Sequence, residues 1–140
     1  MKILGLDLGS KTLGVAVSDY LGIIANPVGT FKINTNSLQD ALECVKILVA
    51  EHSAKRVVLG LPKNMDGSIG FQAQYCLDFK EMLEKELNIE VVMIDERLTS
   101  RMANQVMLSA DISRNKRKNN VDKLAATIIL QTHLDSIPKY

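Results

Sequence analysis

The chain is poor in aromatic residues. Three tyrosines, three phenylalanines and no tryptophan make up 4% of its 140 residues. That leaves no evident platform for stacking successive single-stranded bases and argues against strong base-sequence preference. Cysteine is scarce too: Cys44 and Cys76 are far apart, lie in helical patterns and form no CxxC, so the reading is two reduced thiols rather than a disulfide framework. His52 and His133 share no metal-ligand spacing with them, so zinc is not indicated. No apolar run is long enough to span a bilayer, and the N-terminus enters strand pattern without the charged, apolar and small regions of a signal peptide. A cytoplasmic protein is expected. A net charge of +1 selects no partner.

What remains is the composition of an ordinary globular protein, 46% hydrophobic and 24% charged, at a length that suits a single domain over 1–140. Charge is unevenly placed. Residues 78–96 carry seven acids and two bases, whereas residues 97–123 carry seven bases and two acids. A basic segment beside an acidic site suits an enzyme acting on a polyanion; two solvated helix faces would look the same.

The first twenty residues, MKILGLDLGSKTLGVAVSDY, alternate apolar and other residues on both sides of a Gly9–Ser10 turn and read as a β-hairpin. Asp7 sits inside that apolar pattern, where an ionised carboxylate is costly unless paired or bound to metal. A third extended segment, Ile23 to Phe31, contains Pro27 and suits a sheet edge. Ser37 and Asp40 form a plausible capping box before the helical period Leu38, Ala41, Leu42, Val45, Val49. RVVLG at 56–60 is the short apolar run of a buried strand, followed by a polar loop to Gly70. Phe71, Tyr75, Phe79, Met82 and Leu87 mark the next helix, and Glu90 to Ile94 another strand. Thr99 can cap a helix carrying Met102, Val106 and Met107; residues 111–120 read as a basic loop, and the last helix runs from about Val121 to Leu134. The order β-β-β-α-β-α-β-α-α implies an α/β fold, a five-stranded mixed sheet with helices on both faces, its three leading strands antiparallel.

Sites in such sheets form at strand ends. Asp7 on a central strand, Glu96 just past the fifth strand and Asp122 opening the last helix are three carboxylates that this topology can bring together. They would repel one another without a cation. Their oxygen donors suit Mg²⁺ or Mn²⁺, and two such ions roughly 3.5–4 Å apart activate water and stabilise the leaving oxygen of a phosphodiester. Each acid also has an ordinary explanation: Asp7 paired with Lys11 or an arginine, Glu96 with Arg97, Asp122 complementing a helix dipole.

Four ordered blocks carry a resemblance. GLDLGSKTLGVAVSD at 5–19, GLPKNMDG at 60–67 with Gly70, DERLTS at 95–100 and VDKLAA at 121–126 resemble the YqgF/RuvX family over essentially the whole chain. These are Holliday-junction-resolvase-like proteins usually described as precursor 16S rRNA nucleases. The resemblance implies an RNase H-like fold, a metal-dependent nuclease that processes precursor rRNA in ribosome maturation, and Asp7, Glu96 and Asp122 as its acidic catalytic and metal-binding set. One departure is Thr12, where the family commonly has a basic residue, so one phosphate or backbone contact differs. Lys11, Arg97 and Arg101 are expected to contact phosphates near the metals, with Arg114, Lys116, Arg117 and Lys118 farther out and Asn64 lining the cleft.

A junction resolvase is the alternative activity, and it should form a two-fold dimer because it cuts two strands symmetrically. A non-catalytic nucleic-acid-binding module is the third reading. The partner is a nucleic acid, precursor rRNA or branched DNA, and the protein itself a monomer or homodimer.

Overall fold

A computed structural model of the chain describes residues 1–96 and 114–137, with side chains over 1–96 and 124–137. β1 (Lys2–Leu8), β2 (Thr12–Ser18) and β3 (Ala25–Lys32) lead into α1 (Leu38–His52), β4 (Ala54–Leu61), α2 (Phe71–Leu87) and β5 (Glu90–Asp95); the last helix, here α3, spans Arg114–Ser136. The five strands form one sheet in the order β3-β2-β1-β4-β5, which makes β1 the central strand as expected. β1, β2 and β3 pair antiparallel, and β4 pairs parallel with both β1 and β5.

Period-two alternation distributes the core to both faces. Leu4, Leu6, Leu13, Val15, Val57 and Leu59 point to the side covered by α1 and α2, where they meet Val45, Leu48, Phe79 and Leu83. Ile3, Ala16 and Val58 point to the other side, against Ala126, Ile129, Leu130 and Leu134 of α3. The α3 side admits a close approach because the residues beneath the helix are small. A Cβ on Gly5 would lie 2.6 Å from the Leu130 Cβ and 2.9 Å from the Ala126 carbonyl oxygen. Only glycine lets helix and strand come this near.

Local chemistry sets the boundaries. Ser37 caps α1, its Oγ accepting the Asp40 N–H at 3.1 Å. Ser53 ends the helix in a left-handed conformation. Pro27 lies on the edge strand beside a bulge, where its missing N–H breaks no ladder bond to a further strand.

Two expectations need correction. Residues 114–120 are not a loop: α3 begins at Arg114, about two turns before Val121. A stretch made wholly of polar residues has no apolar period to reveal it, although lysine and arginine are good helix formers. Asp122 therefore does not open the helix but lies within it, and no acid occupies its first turn. The expected helix after Thr99 lies outside the described residues, as do Arg97 and Arg101.

Candidate nuclease active site

The site forms at the carboxyl ends of β1, β4 and β5. Asp7 follows Ile3 and Gly5 on the α3 side of β1. The register Gly5↔Val58 and Leu6↔Leu59, carried one step on, sets Asp7 abreast of Gly60. Gly60 in turn pairs with Ile94, and Glu96 follows two residues later on the same side. Its N–H donates to the Leu61 carbonyl at 3.1 Å, which fixes the chain just beyond β5. Asp7 and Glu96 are thus brought in from the two strands flanking β4, with Gly60 between them.

The glycine makes room for the acid. A Cβ on Gly60 would fall 2.0 Å from Glu96 Oε2 and 2.7 Å from Ile129 Cδ1. Glu96 lies over the bare backbone, roofed by α3.

The Glu96 carboxyl is hydrogen-bonded to that of Asp7. Burial is the main cause that pushes the Glu96 carboxyl up to about 7; the hydrogen bond with Asp7 opposes it, and the charge of Asp95 adds to it. Beneath the pair, Cys76 of α2 packs with its Sγ 4.0 Å from the Leu8 carbonyl oxygen. Burial, then the nearby Glu96 and Asp7, push its thiol up to about 12. With roughly a thousandth of the thiolate of an ordinary cysteine, Cys76 is expected to resist iodoacetamide at pH 8 in the folded protein and to react in urea. Peptide mass spectrometry of the labelled protein reads this directly. Rapid native labelling of Cys76 would contradict the burial.

A raised carboxyl is also a statement about stability. The folded state holds a proton on Glu96 between its usual value of 4.5 and about 7. The contribution is therefore fully present below 4.5 and is lost as pH rises through 7. Glu96→Gln removes the ionisation at nearly constant volume. In EDTA at pH 8 the variant should be more stable than the parent by on the order of 3 kcal/mol, and this advantage should shrink towards pH 4.5. Urea unfolding at several pH values measures it. Parallel profiles for the two proteins would refute the buried-carboxyl account, whereas added Mg²⁺ or Mn²⁺ should narrow the gap.

The remaining expected residues are placed unevenly. Lys11 is exposed in the β1–β2 turn and makes no ion pair among the described residues, so it is not the partner of Asp7. Asn64 lies in the β4–α2 loop, where its Nδ2 donates to Ser68 Oγ at 3.0 Å. Arg114, Lys116, Arg117 and Lys118 are in α3, and Asp122 is in the same helix one turn before Ala126; their side chains lie outside the described residues. Among the described residues no group of three metal-ligating side chains forms. Gly60 is the participant whose role sequence reasoning misses: along the chain it opens the GLPKNMDG block at a strand end, and its purpose shows only when Glu96 is placed over it.

A five-stranded sheet ordered 3-2-1-4-5, with acids at the ends of its central and fifth strands, defines an α/β protein of RNase H-like fold. Two solved structures share it: Thermus thermophilus RuvC in complex with Holliday junction substrate (TM-score 0.61, 13% identity, 97% of each chain covered) and Fowlpox virus resolvase with Holliday junction DNA (TM-score 0.60, 14% identity, 99% of this chain and 100% of that one). The chain itself belongs to the RuvX family, whose profile, described as "RuvX: Holliday junction resolvase", matches residues 1–136. It is 52% identical over 139 residues to a Clostridium beijerinckii protein named "Putative pre-16S rRNA nuclease", with 99% of each chain covered. A protein of the same name from Natranaerobius thermophilus is 50% identical over 135 residues, covering 96% of this chain and 94% of that one. No described helix is long and apolar enough to cross a membrane.

Proposed function

We propose that this protein is a divalent-metal-dependent phosphodiester nuclease that trims precursor 16S rRNA, with Asp7, Glu96 and Asp122 as its metal-binding carboxylates. The observation that carries this reading is the meeting of Asp7 and Glu96 over Gly60 at the carboxyl end of the sheet. Two carboxyls brought into hydrogen-bonding contact at a largely buried position are an unfavourable arrangement for a structural site. They are a suitable one for a hard cation, which lets both ionise. Position 122 lies four and eight residues before Ala126 and Leu130, the α3 residues that lie over Gly5. That spacing extends the same helix row towards the Asp7 end of β1.

A bound Mg²⁺ or Mn²⁺ pair would supply Lewis-acid activation of water and charge stabilisation for the departing oxygen. The protein's own contribution is to hold the carboxylates in place, exclude water on the α3 side and position the phosphate backbone. Lys11 in the β1–β2 turn and Asn64 in the β4–α2 loop stand at the same end of the sheet as the acids. Arg97 and Arg101 would contact phosphates near the metals, and Arg114, Lys116, Arg117 and Lys118 would hold the strand farther out, without reading sequence.

The rRNA substrate rests on the names of the relatives, and cleavage of a DNA junction is favoured instead by the family description and by the two resolvase complexes. Equal amounts of labelled precursor rRNA and four-way DNA junction, with Mn²⁺ or EDTA, decide between them. Metal-dependent trimming of RNA alone supports the proposal. Symmetric junction nicking supports the resolvase, and binding without cleavage would reduce the protein to a nucleic-acid-binding module.

A further inference from the structure

At the opposite end of the sheet the chain uses several polar contacts to hold apolar side chains in water. The β2–β3 turn, residues 19–24, is clamped from three directions. Asp19 Oδ1 accepts the N–H groups of Ile23 at 2.6 Å and Ile24 at 3.1 Å, and the Asp19 and Gly22 N–H groups close the turn on the Ile24 and Asp19 carbonyls. Gln131 of α3 donates to the Ile23 carbonyl at 2.9 Å and accepts the Ala25 N–H at 2.9 Å. The α-ammonium of Met1 donates to the Tyr20 carbonyl at 2.8 Å. Gly22 takes a left-handed φ of 73°, the conformation that lets the turn close. Yet Tyr20 and Leu21 remain 73% and 75% exposed. An anchored turn that presents a tyrosine ring to solvent is preorganised to bind something.

The surroundings say what. Tyr20 borders a cavity of about 340 Å³ whose lining includes Lys2, Lys55, His52, Glu51 and the Met1 terminus. Among the described residues Lys2 and Lys55 make no ion pair, and Glu51 is the only acid lining the cavity. The C-terminal end of α1 also borders the cavity, and there the Ser53 N–H donates to the Ala50 and Val49 carbonyls. One aromatic face beside two ammonium groups is the chemistry that receives an unpaired base and its phosphates.

We propose that the clamped β2–β3 turn and the cavity beside it are a second contact for the nucleic-acid substrate, holding one unpaired nucleotide with its base on Tyr20 and its flanking phosphates on Lys2 and Lys55. The inference rests on the nucleic-acid reading above. Lys2 and Asp7 are five residues apart on one strand, roughly 17 Å, so the nucleotide held here lies outside the stretch being cleaved. The low aromatic content rules out a platform for many bases, but a single ring suffices for one.

The test is a binding measurement in the non-cleaving Asp7→Asn background, in EDTA, with a fluorescein-labelled 20-nucleotide single-stranded RNA. Tyr20→Ala should weaken binding roughly tenfold and leave the affinity for a blunt RNA duplex of equal length unchanged. Lys2→Gln with Lys55→Gln should make the salt dependence shallower by about 1.4 in log–log slope, about 0.7 for each phosphate no longer neutralised. Tyr20 is exposed, so its removal leaves the core intact. Variants that bind the single strand as the parent does, or a Tyr20→Ala variant that loses duplex binding equally, would overturn the proposal. Should Asp7→Asn still cleave, the catalytic reading fails, while the binding comparison in EDTA stands on its own.

Discussion

Asp7→Asn is expected to abolish cleavage while leaving the fold and nucleic-acid binding nearly intact. The substitution keeps the size and one oxygen but removes the charge that a divalent cation needs, and it does so at the centre of the sheet. Loss of a ligand worth several kcal/mol of transition-state stabilisation corresponds to a rate fall of roughly a hundredfold or more. Stability should not suffer. Replacing one of two hydrogen-bonded carboxyls by an amide removes a repulsive ionisation and keeps a hydrogen-bonding partner for Glu96. The measurement is cleavage of labelled precursor rRNA with Mn²⁺, alongside thermal unfolding in EDTA. A variant that cleaves at the parental rate with saturating metal would remove Asp7 from the site. One that unfolds would show the acid to be structural.

Gly60→Ala should be nearly as damaging, for a different reason. Its backbone lies outside the left-handed region, so alanine meets no conformational penalty there. The obstacle is the contact of 2.0 Å with Glu96 Oε2 and of 2.7 Å with Ile129 Cδ1. Either the carboxylate moves away from Asp7 or α3 lifts from the sheet. Overpacking of this kind costs about 1–3 kcal/mol, and misplacement of a catalytic group by about 1 Å costs roughly a hundredfold in rate. Gly29→Ala is the internal control, because its nearest neighbour to a new Cβ is Phe31 Cε2 at 4.0 Å. Activity and urea midpoints of the two variants should diverge sharply. Equal behaviour would mean that Glu96 does not depend on the gap at Gly60.

Much of this is readable in the chain itself. The hairpin follows from alternation around Gly9–Ser10, and α1 begins at the serine that its capping pattern names. Asp7 is conspicuous because a charged residue interrupts an apolar strand, and that is a local signal. Glu96 and Asp122 are legible only as acids near the ends of elements, a weaker signal that gains weight from the four family blocks. Phe71 shows the limit of periodicity: it begins the helix the pattern foretells, yet it is 74% exposed, because the buried face of α2 runs through Ala73, Cys76, Phe79 and Leu83 and Phe71 falls outside it.

The sequence by itself determined the alternation and the short apolar runs that make five strands, the start of α1 written in its Ser37 cap and the acids available for chemistry. Those are properties of neighbours along the chain, decided by backbone sterics and local hydrogen bonds. Only the tertiary structure decided that Asp7 and Glu96 meet, that Gly60 is empty for Glu96's sake and that Tyr20 is held out in water by clamps from Met1, Asp19 and Gln131. These depend on register between strands 34 or more residues apart and on how closely α3 lies on the sheet. Neither distance nor desolvation is encoded in any single stretch of residues, because both arise only when distant segments exclude water together.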